Sequence, residues 1–189
     1  IRLSLVGSEM CIRDRFYKEK ARKPQLPAKL DIKGGDFVLC TIHRAENTDD
    51  SQRLKNIFQG LGDSGETIIL PLHPRTRAKI ADYGIAIPEN VWVIDPVGYL
   101  EMVWLEANCR LVATDSGGVQ KEAYFHGKFC VTLRKETEWV ELVGIRANRL
   151  AGVNPTLIAE SIKDGSAIDC SGTPYGIGDS AERISKILK

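Results

Sequence analysis

The sequence predicts an α/β protein in three layers, a Rossmann-like parallel sheet with helices on both faces. Three observations predict it. Short, almost wholly apolar β-rich runs recur at residues 37–43, 67–73, 91–96, 111–115 and 129–134. Helical stretches separate them. Chemistry-bearing polar residues stand at the ends of the runs rather than inside them. Apolar strands that alternate with helices belong to a parallel sheet buried on both sides.

The elements follow in order. Residues 5–15 read LVGSEMCIRDR, which looks like one reading frame of a transposase sequencing adapter, so residues 1–15 are taken as foreign to the fold. Residues 16–35 are basic, carry two prolines and read as a linker or helix end. The Rossmann-like domain is expected over 36–178, and a C-terminal helix over 179–189. FVLCTIH (37–43) is the first strand. NTDDSQRLKNIFQGLGDSG (47–65) is a helix with Leu54, Ile57, Phe58 and Leu61 on one face, and Asn47 is read as its cap. TIILPLH (67–73) is a strand, and the proline of PRTRAKIADYG suits the first turn of the next helix. VWVIDP, YLEMVWLEANC and LVATD follow as strand, helix and strand. LVATD runs into SGGVQKEAYFHG, a glycine turn opening a helix. FCVTLR is a strand, KETEWVE an acidic loop, RLAG a short strand, and PTLIAESIKDG a helix. Residues 166–178 read as loop.

Composition sets the limits. The chain has 189 residues, 43% of them hydrophobic and 27% charged, enough for one domain with a real core. A net charge of +1 gives no broad attraction to nucleic acid or anionic lipid, so an anion has to be bound locally. No apolar run approaches the roughly 20 residues that span a bilayer. The five cysteines are odd in number and lack C-x-x-C spacing, which reads as reduced thiols in the cytosol. The three histidines have no neighbouring ligands in a zinc pattern, and no metal is expected.

Ligands of open parallel sheets bind beyond the carboxyl ends of the strands. His43, His73, Asp95, Asp115 with Ser116-Gly117-Gly118, and Arg134 all fall there. The strongest motif is TDSGGVQKE (114–122). Free amides at the head of a helix favour a phosphate, and the glycines let it approach the backbone. A tight strand–helix turn without a ligand is the other reading, and both stay open on spacing alone. The motif is neither a Walker loop nor a G-x-G-x-x-G fingerprint. Glu122, one turn into the helix, can accept from ribose hydroxyls. His43-Arg44 can contact a diphosphate, with His43 able to move a proton, or can be a plain polar loop. His73-Pro74-Arg75 is a weaker version of the same. Arg134 with Glu136, Glu138 and Glu141 is either a surface charge network or a face of the site. His126 reads as structural, and Trp92 and Trp104 as core. Met102 or Tyr99 can line a base pocket.

Taken together, TIHRAENTDD, PLHPRTR and TDSGGVQKEAYFHGKFCVTLRKETEWVELVGIRANRLAG resemble the non-hydrolysing UDP-N-acetylglucosamine 2-epimerase family, from about residue 35 to residue 162. The resemblance implies the C-terminal half of a two-domain fold like that of the B-type glycosyltransferases. It implies a UDP-sugar ligand contacted by His43, Arg44, Ser116, Gly117, Gly118 and Glu122, with His43 catalytic and Arg134 and Met102 nearby. It implies elimination and re-addition of UDP through a 2-acetamidoglucal, no cofactor, and a homodimer at full length. The principal acid–base carboxylates of the family belong to the other half, so this chain alone is expected not to turn over. Trp139 stands where many members have arginine, and TEWVE resembles a subgroup that includes UDP-2,3-diacetamido-glucuronate epimerases. A B-type glycosyltransferase and a regulatory nucleotide-binding module are the rival functions.

Overall fold

The computed structural model describes residues 17, 19–30, 32, 34–165, 174–175 and 180–187. The adapter reading of residues 1–15 and most of the loop reading of 166–178 lie outside them. Six short strands form one parallel sheet: β1 (Val38–Thr41), β2 (Ile68–Pro71), β3 (Val91–Ile94), β4 (Leu111–Thr114), β5 (Phe129–Thr132) and β6 (Asn148–Leu150). Their order is β3-β2-β1-β4-β5-β6. The helices are α1 (Ala45–Thr48), α2 (Ser51–Ser64), α3 (Pro74–Asp82), α4 (Tyr99–Asn108), α5 (Gly117–Phe125), α6 (Val140–Gly144), α7 (Pro155–Asp164) and α8 (Ser180–Ile187).

Alternation along the strands builds the layers, because successive side chains of a strand point to opposite faces. Val38 and Cys40, Leu111 and Ala113, Phe129 and Val131 pack on one face with Leu54, Phe58 and Leu61 of α2 and Ile158 of α7. Leu39, Val112 and Cys130 pack on the other with Leu105 of α4 and Ala123 of α5. Ile32 is buried on this second face, and Leu26 and Leu30 pack against the cluster. Strands β1, β4 and β5 are buried throughout.

Cys40, Cys109 and Cys130 are free and buried, as reduced thiols should be. Burial pushes the Cys109 and Cys130 thiols up to about 12. For Cys40, burial first and the Asp115 charge second push the thiol up. Among the described residues no helix is long and apolar enough to cross a membrane.

Two local expectations are corrected. Asn47 does not cap the long helix. It sits inside the separate turn α1, fully buried, and the cap of α2 is Asp50, whose Oδ1 accepts from the amides of Gln52 and Arg53 at 2.9 and 3.0 Å. An aspartate two residues ahead of the first free amides serves them directly, which leaves the Asn47 amide for a tertiary role. The acidic loop after β5 also does not stay irregular, since it ends in α6.

Candidate anion site at the switch point of the sheet

The chain runs from β1 outward to β2 and β3, then returns to β4 beside β1 and continues to β6. The crevice where a parallel sheet reverses direction is its natural ligand site. Here it lies between the loops that leave β1 and β4. Thr41 and Thr114, the last residues of those strands, join hydroxyls at 2.5 Å across the crevice floor.

Asp115 organises the crevice. Its carboxylate has no solvent exposure. It accepts from the backbone amide of His43 at 3.2 Å, from that of Arg44 at 3.1 Å, and from Nδ2 of Asn47 at 3.1 Å. Asn47 also donates to the Leu133 carbonyl at 3.1 Å, so a single amide ties the loops after β1, β4 and β5. His43 Nδ1 stands 3.4 Å from Asp115 Oδ1 while its side chain is 52% exposed. His43 thus turns Nδ1 toward the buried carboxylate while about half of its side chain stays open to solvent.

Ser116 caps α5, with its Oγ accepting from the Val119 amide at 3.4 Å and its own amide donating to Thr114 Oγ1 at 2.9 Å. The first amides of a helix have no intrahelical acceptor. Those of Gly117 and Gly118 stand at the positive end of the helix dipole, the kind of place where anions are favoured. Gly118 is exposed and Gly117 half-buried.

The loop after β5 closes the corner. Arg134 is only 6% exposed, and its Nη1 donates to both carboxylate oxygens of Glu138 at 3.0 Å. Arg44 Nη2 approaches Glu138 Oε1 at 3.4 Å. Glu138 is held below the ordinary carboxylate range by the hydrogen bond from its own backbone amide first, against burial, with Arg134 and Arg44 adding to the lowering. Buried and part-buried hydrogen bonds brace this loop from behind. Thr137 Oγ1 donates to Gln120 Oε1 at 2.6 Å, Asn148 Nδ2 donates to the same oxygen at 3.0 Å, and Trp139 Nε1 donates to the Gly117 carbonyl at 2.7 Å. Lys121 Nζ lies 4.4 Å and 4.3 Å from the ring centres of Trp139 and Tyr175, a buried cation held between two aromatic faces.

A cleft of about 460 Å³ opens from His43 toward β2 and β3, lined by Ile42, His73, Val97, Met102 and Val119 among others. His43 and Met102 share it. Arg44, Ser116, Gly117 and Arg134 gather at the corner beside it, and Glu122 lies further along α5, half-buried. Tyr99 does not line the cleft. Among the described residues no group of histidine, cysteine and carboxylate side chains is arranged to hold a metal ion.

The sequence profile of the family described as UDP-N-acetylglucosamine 2-epimerase matches residues 2–189. The chain belongs to this family. It is 47% identical over 188 residues to the UDP-2,3-diacetamido-2,3-dideoxy-D-glucuronate 2-epimerase of Pseudomonas aeruginosa, covering 97% of the chain and 51% of the relative. It is 45% identical over 166 residues to a UDP-N-acetylglucosamine 2-epimerase homolog of Methanococcus maripaludis, covering 85% and 46%. Among solved structures, the Methanocaldococcus jannaschii UDP-GlcNAc 2-epimerase in complex with UDP-GlcNAc and UDP superposes with a TM-score of 0.72 at 33% identity, over 98% of this chain and 51% of that one. The chain spans about half the length of these epimerases. The matched half of that solved structure shares the α/β fold described above.

Sequence reasoning placed the strand-end residues but missed how they are held. Asp115 appeared only as a strand terminus, Asn47 as a cap, and Glu138 as one member of a charge run. The available signal was polarity out of place: Asn47 and Asp115 are polar residues close to all-apolar strands, and buried polar groups need partners.

Proposed function

We propose that this chain is the UDP-binding half of a UDP-sugar 2-epimerase, with UDP-N-acetylglucosamine and UDP-N-acetylmannosamine as the interconverted pair. The observation that carries the reading is the meeting, at the β1–β4 crevice, of an Asp115-anchored His43 with the open first turn of α5. The amides of Gly117 and Gly118, the hydroxyl of Ser116 and the guanidinium groups of Arg44 and Arg134 form a seat for a diphosphate. Glu122 takes the ribose, and Met102 in the neighbouring cleft packs beside the base. In the epimerase reaction C2 loses its proton and the C1–O bond to UDP breaks, leaving a 2-acetamidoglucal. UDP then adds back with C2 inverted. Departure of UDP adds a negative charge to a diphosphate that already carries two, and donors already aimed at that position lower the barrier without reorganising. His43 Nε2 can carry a proton to or from the leaving oxygen.

A second reading has its own support. The 47% identity to the diacetamido-glucuronate epimerase extends over nearly the whole chain, so a sugar with a C3 acetamido group and a C6 carboxylate is the alternative substrate. Both readings share the UDP seat.

Titration calorimetry tests the seat. UDP should bind this chain while uridine binds far more weakly, and a chain that binds neither would end the reading. Joined to the N-terminal half of a relative, the chain should incorporate solvent deuterium at C2 of one of the two UDP-sugars. A glycosyltransferase would incorporate none. The chain alone should bind without turnover.

A further inference from the structure

The Glu138 carboxylate stands in an unusual place for an acidic group, at the head of a helix that this chain offers to an anion. A Cβ built on Gly117 would meet Glu138 Oε2 at 3.1 Å, so the oxygen rests directly over the first residue of α5. Both carboxylate oxygens receive Nη1 of Arg134, and Arg44 comes in from the β1 loop. A carboxylate over a helix N-terminus, gripped by a buried arginine, has the surroundings of a bound phosphate.

We propose that Glu138 competes with the diphosphate for this seat, its side chain occupying the position and rotating out when a nucleotide enters. The inference rests on the UDP-binding reading above. Three observations support it. First, the backbone on both sides of Glu138 is pinned: Thr137 is tied to Gln120, and Trp139 is tied to the Gly117 carbonyl and to the Lys121–Tyr175 cage. The side chain itself is 48% exposed and held by two arginines and its own backbone amide, with no other side chain donating to it among the described residues. It can leave by χ rotation, without moving the loop. Second, Glu138 does not exhaust Arg134, whose buried Nε has no acceptor among the described residues. A guanidinium carries five donors, and a diphosphate offers more acceptors than one carboxylate. Third, Gly117 has no side chain to keep an incoming phosphate off the amides once Glu138 has turned away.

Neutralising Glu138 separates a competitor from a clamp that holds Arg134 in place. In calorimetry with this chain, Glu138→Gln should bind UDP and inorganic pyrophosphate about fivefold more tightly than the wild type, the scale of one removed like-charge contact at a half-exposed site. Uridine, which has no diphosphate, should bind equally to both. Glu138→Asp keeps the charge but draws it back by one methylene, and should give a smaller gain in the same direction. If E138Q were unstable, E138D would decide the question with the same ligands. Unchanged or weaker pyrophosphate binding by these variants, beside normal UDP binding by the wild type, overturns the competition and leaves the UDP seat standing. A wild type that binds no UDP overturns both.

Discussion

Asp115 and Asp95 each follow a parallel strand by one residue, and they have opposite fates. Asp115 leaves β4, which has β1 on one side and β5 on the other. It is fully buried and collects two backbone amides and the Asn47 side chain. Asp95 leaves β3 at the edge of the sheet, is 94% exposed, and pairs with Arg77 at 3.0 Å. A strand terminus brings a residue to the ligand edge, but the strand's place in the sheet decides how many loops converge on it. At the centre three loops meet and polar groups are forced to satisfy each other. At the rim one loop faces water, and the charge contributes little to structure.

Removing Asp115 tests the contrast most severely. Asp115→Ala leaves two amides and one side-chain donor in a buried site, and the loss should be about 3 kcal/mol in urea unfolding. The His43 ring loses its anchor, so UDP binding should vanish with it. A loss below about 1 kcal/mol would mean that water replaces the carboxylate, and that the crevice is not the closed polar corner described above.

A comparable destabilisation far from the edge separates fold from site. A Cβ on Gly60 of α2 would meet Ile158 Cβ at 2.7 Å and the Pro155 carbonyl at 2.9 Å, both rigid parts of α7. Gly60→Ala gains roughly 1 kcal/mol of helix propensity and forces the two helices apart, for a net loss of about 2 kcal/mol. Its affinity for UDP should match the wild type. Gly117→Ala reverses the pattern. The added methyl meets the movable end of Glu138 at 3.1 Å, so stability should change by under about 1 kcal/mol. The same methyl stands on the amides of the seat, and UDP affinity should fall about tenfold. If G60A and G117A weakened UDP binding equally, the seat would not be where the glycine turn puts it.

These contrasts also mark what the sequence could tell. Sheet, strand ends and the glycine turn were legible, because apolar runs and Ser-Gly-Gly are local signals. The family motifs carried the assignment of His43 and Arg134 to one site. The contacts that hold the site were not legible. Asn47 joins loops separated by 68 and 86 residues, Thr137 reaches back to Gln120, and Lys121 finds Trp139 and Tyr175 from three separate segments. Nothing in the spacing of an asparagine distinguishes a cap from a cross-brace. Only the neighbouring Asp50, a better-placed cap, would have argued for the second.

The smallest expected effect closes the comparison from the other side. Asp95→Ala removes a residue that sits at its strand's end as Asp115 does and carries the same charge. Its carboxylate is almost wholly solvated, and its partner Arg77 is itself about half exposed. Ordering two exposed side chains costs about as much as their attraction returns in water. Asp95→Ala should therefore shift unfolding by under about 0.5 kcal/mol, within the usual range for surface substitutions. UDP affinity should stay at the wild-type value, because Asp95 belongs to the outer cleft with Pro24 and Arg77 rather than to the crevice at β1 and β4. Were D95A to weaken UDP binding as D115A does, the ligand would have to reach across β2 to the rim of the sheet, and burial at the sheet centre would no longer mark where the chemistry lies.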